Sequence, residues 1–370
     1  MDGLLARRRM MMVLYQEEYI VFADPEVERI CAETWGDGIG LKPSQAARVT
    51  TIERYFNQNT LITSFNELVY FTSLTYFYGH NNVNYGVFAG CTALTSIVLP
   101  ESFVTFGRGS FNNCSALESV TFPSGQCVLN ANTFYGCSSL ADLGKLRVSG
   151  FIESNRVFYN CSQLTELDFS ESTFTSIPSS SASGNSMTYG CSRLTTVILP
   201  TTCTSLGNYL FYGRSSITSI TGLDNVVSVG TYIFYRCYGL TSLNTPSLTS
   251  VGKNAFYQCT HLTSINLESV TTIGQGAFDG CTGLQEVTLL HITSIGSEAF
   301  RRCSSLTAFI CGVSTPPTLG TNSFYQTTGV KIYVPYSVDH SVLAAYQAAT
   351  NWSSYASQIY ELDENGNIPS

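Results

Sequence analysis

Apolar residues recur along this chain in two alternating rhythms. In the unit spanning residues 270–289, the stretches 270–273 and 284–289 alternate apolar and polar positions with a period of two, the pattern of half-buried strands. Between them Phe278 and Cys281 stand three apart, a spacing that puts both side chains on one face of a single helical or 3₁₀ turn. The same phrase, Phe-x-x-Cys-x-x-Leu, recurs at Phe88, Phe111, Phe134, Phe158, Phe234, Phe256 and Phe300. Stacked units of 22–24 residues, each with two short strands and one such turn, predict a β-rich solenoid. No rung can bury its apolar face alone; its neighbours supply strand hydrogen bonds and the second wall of the core. Gly230, Gly252, Gly274 and Gly296 stand four residues before the rung Phe, as do Gly107, Gly207 and Gly320. A glycine repeated at a strand end predicts a turn with positive φ.

The ends lack the repeat and are read as caps. The solenoid is predicted over residues 65–335, a helical cap over 21–64 and a second cap with a helix over 336–370. Asp24 before Pro25 reads as an N-cap followed by proline at the first helical position, and Pro43 opens a second helix. Residues 338–356 read as one amphipathic helix, with a last apolar segment at 359–362. Residues 1–20 form a separate segment. Arg7, Arg8 and Arg9 followed by Met10, Met11 and Met12 make it basic and methionine-rich, but the apolar run is short and no small-residue cleavage site follows. It is read as part of the mature protein and as a candidate anchor into a virion or assembly partner.

Only 12% of residues are charged, while Ser, Thr, Tyr and Phe are abundant, a strand-and-turn composition. The net charge is -8 and the Lys and Arg look scattered, which argues against nucleic acid as a partner. No stretch approaches the ~18–20 apolar residues of a membrane-spanning helix. Nine of the 13 cysteines share one phase of the repeat, 22–24 residues apart except for one gap of 30 and one unit where Arg214 takes the place. None has the spacing of a zinc site, and parallel side chains on successive rungs are poorly placed for disulfides, so they predict a ladder of buried thiols. Cys31, Cys127, Cys203 and Cys311 are off-phase. The Gly-rich stretch around Asp37 is no calcium loop, because Glu33, Trp35 and Ser44 occupy its first, third and twelfth places. The four histidines are dispersed, no Gly-x-Ser-x-Gly elbow exists, and Asp142, Glu166, Asp168 and Glu286 do not form a glycosidase pair. No catalytic residue, metal or cofactor is expected.

Two features rise above this background. The residue after the rung Phe position is tyrosine in six consecutive units, Tyr135, Tyr159, Tyr189, Tyr212, Tyr235 and Tyr257, which predicts a tyrosine stripe along one edge. Such a stripe serves either glycan or protein binding or the stacking of neighbouring rungs. The second feature is the long interval between Cys161 and Cys191. Ser179, Ser180, Ser181, Ser183 and Asn185 there read as a protruding loop, Thr188 replaces the rung Phe, and Arg214 stands at an inward position one unit later.

The phrase Ala-Phe-x-x-Cys-x-x-Leu-x-x-Ile-x-Leu-Pro, preceded by Val/Ile-Thr-Ser-Ile-Gly, resembles the BspA-type leucine-rich repeat. The strand-ending Pro100, Pro123 and Pro200 fit it, and the resemblance covers residues 68–335. It implies a leucine-rich-repeat solenoid of the α/β horseshoe class and a binding or adhesion role with no enzymatic activity. The expectation is a non-enzymatic recognition protein that meets a protein or glycan on a cell surface. Without a convincing signal sequence, it is expected to be a virion component (fibre, decoration or host-attachment protein) or else a cell-surface protein. A rigid structural spacer is the alternative, and a glycan-acting enzyme a weaker one.

Overall fold

The computed structural model describes residues 17–369, so the candidate anchor at Arg7, Arg8, Arg9, Met10, Met11 and Met12 lies outside the described residues. The strands are shorter than the alternating segments that predict them. Ser250–Val251, Thr272–Ile273 and Ser294–Ile295 each pair in parallel with the same strand of the next rung. This column runs unbroken through seven strands, from Ser176–Ile177 to Thr318–Leu319. The second column, which follows the rung Leu, is interrupted: Glu166–Asp168, Thr196–Ile198 and Ser219–Thr221 form one run, and Glu286–Leu289, Ala308–Cys311, Lys331–Val334 and Ile359–Glu361 another. Like residues stack on like in this register, Val251 on Ile273 inside and Ser250 on Thr272 outside. The abundance of threonine has a local cause. The hydroxyls of Thr249, Thr271 and Thr293 donate to the carbonyls of Val227, Thr249 and Thr271 one rung back, at 3.0, 3.1 and 2.9 Å.

The Phe-x-x-Cys segment departs from the predicted helical turn. Residues two before the Phe (Tyr209, Tyr232, Asn254, Glu298) and two after it (Arg236, Gln258, Arg302) have φ between 49 and 61°. Each left-handed residue stops a helix from propagating. What remains is a chain of tight turns, closed by bonds such as Cys259 N–H to Phe256 C=O at 3.1 Å. The N–H groups of Asn254, Phe256 and Gln258 donate instead to Gln275, Ala277 and Asp279 of the next rung, at 2.9, 2.8 and 2.8 Å. A helix would have consumed these donors within the rung, and the stack would have lost a hydrogen-bond ladder on this side.

The repeated glycines also act differently from the prediction, since none of Gly230, Gly252, Gly274 or Gly296 has positive φ. They permit contact. A Cβ on Gly252 would lie 2.5 Å from the carbonyl carbon of Gly230 and 2.7 Å from the Thr231 nitrogen; one on Gly296 would lie 2.5 Å from the Gln275 nitrogen. Backbone meets backbone at this corner of the rungs that carry these glycines.

Inside, the rung phenylalanines form two stacked spines. Phe56, Phe88, Phe111, Phe134 and Phe158 make the first; Phe211, Phe234, Phe256, Phe278, Phe300 and Phe324 make the second, with rings 5.1 to 5.8 Å apart. Thr188 interrupts them. The cysteines do more than fill space: the thiols of Cys259, Cys281 and Cys303 donate to the carbonyls of Phe234, Phe256 and Phe278 one rung back, at 3.1, 3.0 and 3.2 Å. In the last rung Thr327 stands at this place and its hydroxyl donates to Phe300 at 2.6 Å. Apart from the rung of Arg214, the position from Cys91 to Thr327 is held by a small buried donor. Burial pushes the Cys91, Cys191 and Cys237 thiols up to about 12 and holds Cys259 and Cys281 well above the ordinary thiol range. All 13 cysteines are free and buried. Native protein should accordingly leave a chromogenic disulfide reagent unreacted at pH 8, and denatured protein should release all 13 thiols. Rapid native titration of several thiols would contradict the buried ladder.

Both ends are closed by residues that reach back into the array. At the front, Asp24 caps α1 (Pro25–Thr34) through the Glu26 and Val27 N–H groups and accepts the Thr63 N–H and hydroxyl at 2.6 and 2.8 Å. Burial tends to raise its carboxyl pKa, but the hydrogen bonds from Thr63, Val27 and Glu26 prevail and hold it below the usual range. The second helix, α2 (Pro43–Ala46), has four residues. The predicted single C-terminal helix is two pieces, α3 (Ser341–Ala348) and a 3₁₀ segment Trp352–Gln358, divided at Asn351 with φ of 65°. Among the described residues no helix is long and apolar enough to cross a membrane.

Candidate functional site

Because the rung Phe points inward, the side chain that follows it points out, and stacking brings equivalent positions together. Tyr135, Tyr159 and Tyr189 form one stack, with centroids 4.7 and 5.0 Å apart and planes within 17°. Tyr212, Tyr235 and Tyr257 form another, at 4.7 Å and within 4°. The predicted stripe is thus two stacks of three. Between them Arg214 covers the Tyr189 ring at 5.2 Å. Tyr209 and Tyr232, two residues before their rung Phe, add a parallel pair at 5.3 Å beside the second stack. Sequence reading missed these because positive φ at a tyrosine has no sequence signal.

The cations are not scattered in three dimensions. The guanidinium of Arg156 lies 5.5 Å from the Tyr159 ring centroid, that of Arg236 5.2 Å from Tyr235, that of Arg302 5.9 Å from Tyr257 and that of Arg301 5.8 Å from Tyr325. With Arg214, five arginines line this edge of a chain whose net charge is -8. Their gathering was hidden because they stand at different offsets from the rung Phe position.

Pairing divides them into two groups. Arg302 makes two bonds of 2.8 Å to the buried Asp279 and one of 3.2 Å to the Tyr257 hydroxyl, while Arg301 pairs with Glu298 at 3.3 Å. Those two belong to the scaffold. Arg156, Arg214 and Arg236 each use only Nε, bonding to the Gly184 carbonyl (3.2 Å), the Tyr212 carbonyl (3.3 Å) and Gln258 Oε1 (3.0 Å). Their terminal amino groups have no hydrogen-bond or carboxylate partner among the described residues. Arg214 escapes the predicted cost of an inward charge by turning out of the core onto Tyr189.

The serine-rich stretch, read from the sequence as a protruding loop, is bonded to the neighbouring rungs. Ser179 Oγ accepts from Asn208 N–H at 2.9 Å, the buried Ser180 donates its N–H to the Asn208 carbonyl at 2.9 Å, and Ser181 N–H reaches Asn155 Oδ1 at 2.8 Å. Ser183–Asn185 forms a 3₁₀ turn, and the Asn185 amide donates to the Ser181 hydroxyl. This turn delivers the Gly184 carbonyl that orients Arg156. The insertion, the Thr188 gap in the Phe spine, the gap between the tyrosine stacks and the Arg214 gap in the thiol ladder all fall within neighbouring rungs.

The strand surface carries a different feature, a shallow trough of about 560 Å3 lined by Asn244, Asn266, Glu268 and Glu286. Its charge is acidic. Asp168 accepts from Ser170 N–H at 2.8 Å, and His261 bonds the Tyr238 carbonyl at 2.6 Å. Among the described residues no three His, Cys, Asp or Glu side chains group to hold a metal ion.

Residues 50–188, 183–307 and 287–358 match the family model of the BspA type leucine rich repeat region, in six copies. No curated protein matches. Among solved structures, the chain is similar to a leucine-rich repeat protein from Bacteroides ovatus, with 19% identity over 78% of this chain and 88% of that one and a TM-score of 0.38. It is similar also to a leucine rich cell surface protein from Faecalibacterium prausnitzii, with 21% identity over 74% and 85% and a TM-score of 0.33. Since the matched repeats take in most of the stacked rungs, this chain belongs to the BspA-type leucine-rich repeat family.

Proposed function

We propose that this protein is a non-enzymatic recognition and adhesion protein, displayed on a cell or virion surface, whose contact surface is the tyrosine and arginine edge. Membership in the BspA-type family, a family of cell-surface proteins, supports the surface role. The observation that carries the choice of surface is the set of three guanidinium groups, Arg156, Arg214 and Arg236, held against the tyrosine stacks with their terminal donors unpaired. Guanidinium groups held against the stacks and bonded through Nε are partly ordered before a partner arrives, so less entropy is lost on contact. Tyrosine adds broad area at small conformational cost.

The tyrosines also have a structural share, because Tyr159 and Tyr235 are stacked on both ring faces. Replacing them would disturb the rungs, so the test uses the arginines. The triple variant Arg156→Gln, Arg214→Gln, Arg236→Gln should bind whole cells at least about tenfold more weakly, since hydrogen bonds to charged groups contribute about 1.5–3 kcal/mol each. Its melting temperature should stay within a few degrees of the wild type, as for exposed substitutions. Unchanged cell binding would remove this edge from consideration and favour the rigid-spacer reading.

A further inference from the structure

We infer that the edge takes an acidic glycan, an extended chain of carboxylate-bearing sugars lying along the solenoid; the inference rests on the adhesion reading above. Three observations converge on it. First, each of Arg156, Arg214 and Arg236 bonds the protein through Nε alone, leaving its paired terminal amino groups for a planar anion. A carboxylate matches such a fork. These guanidinium groups lie 5.2 to 5.5 Å from the ring centroids of Tyr159, Tyr189 and Tyr235, in the first, second and fourth of four consecutive rungs, so they can meet several anions spaced along the axis.

Second, the phenolic hydroxyls of Tyr135, Tyr159, Tyr189, Tyr212 and Tyr235 have no hydrogen-bond partner among the described residues, whereas that of Tyr257 accepts from Arg302. The edge therefore offers one free hydroxyl per rung beside the guanidinium forks. Within each stack the rings repeat every 4.7 to 5.0 Å, close to the advance of one sugar in an extended β-1,4-linked chain. A polyhydroxylated polymer meets both kinds of group at their own spacing.

Third, the stacks discriminate between classes of anion. Single-stranded nucleic acid gains much of its affinity by laying bases on free aromatic faces. Here Tyr159 and Tyr235 have a tyrosine on each face, and Tyr189 has Tyr159 on one face and Arg214 on the other. On these three rings the edges and hydroxyls are what remain accessible, and the hydroxyls suit sugars.

Titration of the full chain with immobilised oligomers tests this directly. The probes are β-1,4-linked oligomannuronate, the same oligomer with its carboxyl groups reduced to neutral mannan, oligogalacturonate, polysialic acid and a single-stranded oligonucleotide of matched charge. At least one acidic glycan should bind, about tenfold or more tightly than the reduced oligomer and the oligonucleotide, with affinity falling as salt is raised. The Arg156→Gln, Arg214→Gln, Arg236→Gln variant should lose this binding, and the corresponding triple lysine variant should recover only part of it, because lysine keeps the charge but not the fork. Equal binding of the reduced oligomer, preference for the oligonucleotide, or full activity of the glutamine variant would overturn the inference. A chain that adheres to cells but binds none of the acidic glycans defeats the inference and leaves the adhesion reading standing. One that binds neither cells nor glycans defeats both.

Discussion

Gly252→Ala should lower the stability to urea unfolding by about 3 kcal/mol or more, although it adds a single methyl group. The atoms that a Cβ would strike are backbone atoms of Gly230 and Thr231 in the preceding rung, 2.5 to 2.7 Å away, and they have no rotamer to escape into. Relief requires parting two rungs, which also strains the strand pairing of Ser228–Val229 with Ser250–Val251. In a stack where each unit contacts only its neighbours, one weakened interface separates the array into blocks, so hydrogen exchange should accelerate on both sides of residue 252. Gly213→Asn is the control. Gly213 has φ of 70° with no atom within 4 Å of an added Cβ, and asparagine already holds the equivalent left-handed position at Asn113 and Asn160. That change should stay within about 0.5 kcal/mol of the wild type. If the two substitutions were equally mild, the close-contact account of the rung corner would be wrong.

Trp352→Ala should cost about 3–5 kcal/mol, the range for removing a large buried aromatic side chain. Trp352 is fully buried, its indole N–H donates to the Pro317 carbonyl at 2.8 Å, and its ring meets Tyr346 edge-on at 5.1 Å and Phe324 at 6.4 Å. These contacts hold the C-terminal cap against the last rungs. Around it, Tyr346 donates to the Val313 carbonyl at 2.6 Å and Asn351 to the Leu319 carbonyl at 2.6 Å. Loss of the indole should loosen residues 313–362 in hydrogen exchange and leave the rungs before residue 250 protected. Uniform loss of protection along the chain would show a globally cooperative unit in place of a stack of neighbours.

The repeat was legible because its cause is local. Phe278, Cys281 and Leu284 must all point inward from one rung, and that requirement writes itself into the spacing. What the chain concealed depends on the next rung. A recurring glycine looks the same whether it permits positive φ or close approach; the backbone of Gly230, 22 residues before Gly252, decides between them. The turn at Phe256 looked helical, and its ladder of N–H groups to Gln275, Ala277 and Asp279 exists only once a neighbour is present.

The candidate site was half legible for the same reason. The tyrosines share one offset from the rung Phe position and could be lined up by inspection. Arg156, Arg214 and Arg236 come from three different offsets and converge only because their long side chains fold onto Tyr159, Tyr189 and Tyr235. From the sequence Arg214 stands at a position that faces the core. Its side chain turns outward onto a tyrosine at the seam between two stacks, which makes it part of the proposed contact surface.

Hydroxyl-radical footprinting of the full chain, free and bound to the cells it adheres to, tests the central claim most directly, since tyrosine oxidation reports solvent access residue by residue. The account predicts protection of Tyr159, Tyr189, Tyr212 and Tyr235 on binding, with Tyr55 and Tyr336, exposed near the two ends, still oxidised. Protection of the strand-face trough, read by carbodiimide labelling of the exposed Glu268 and Glu286, with the tyrosine edge unchanged, would place recognition on the other surface and contradict it.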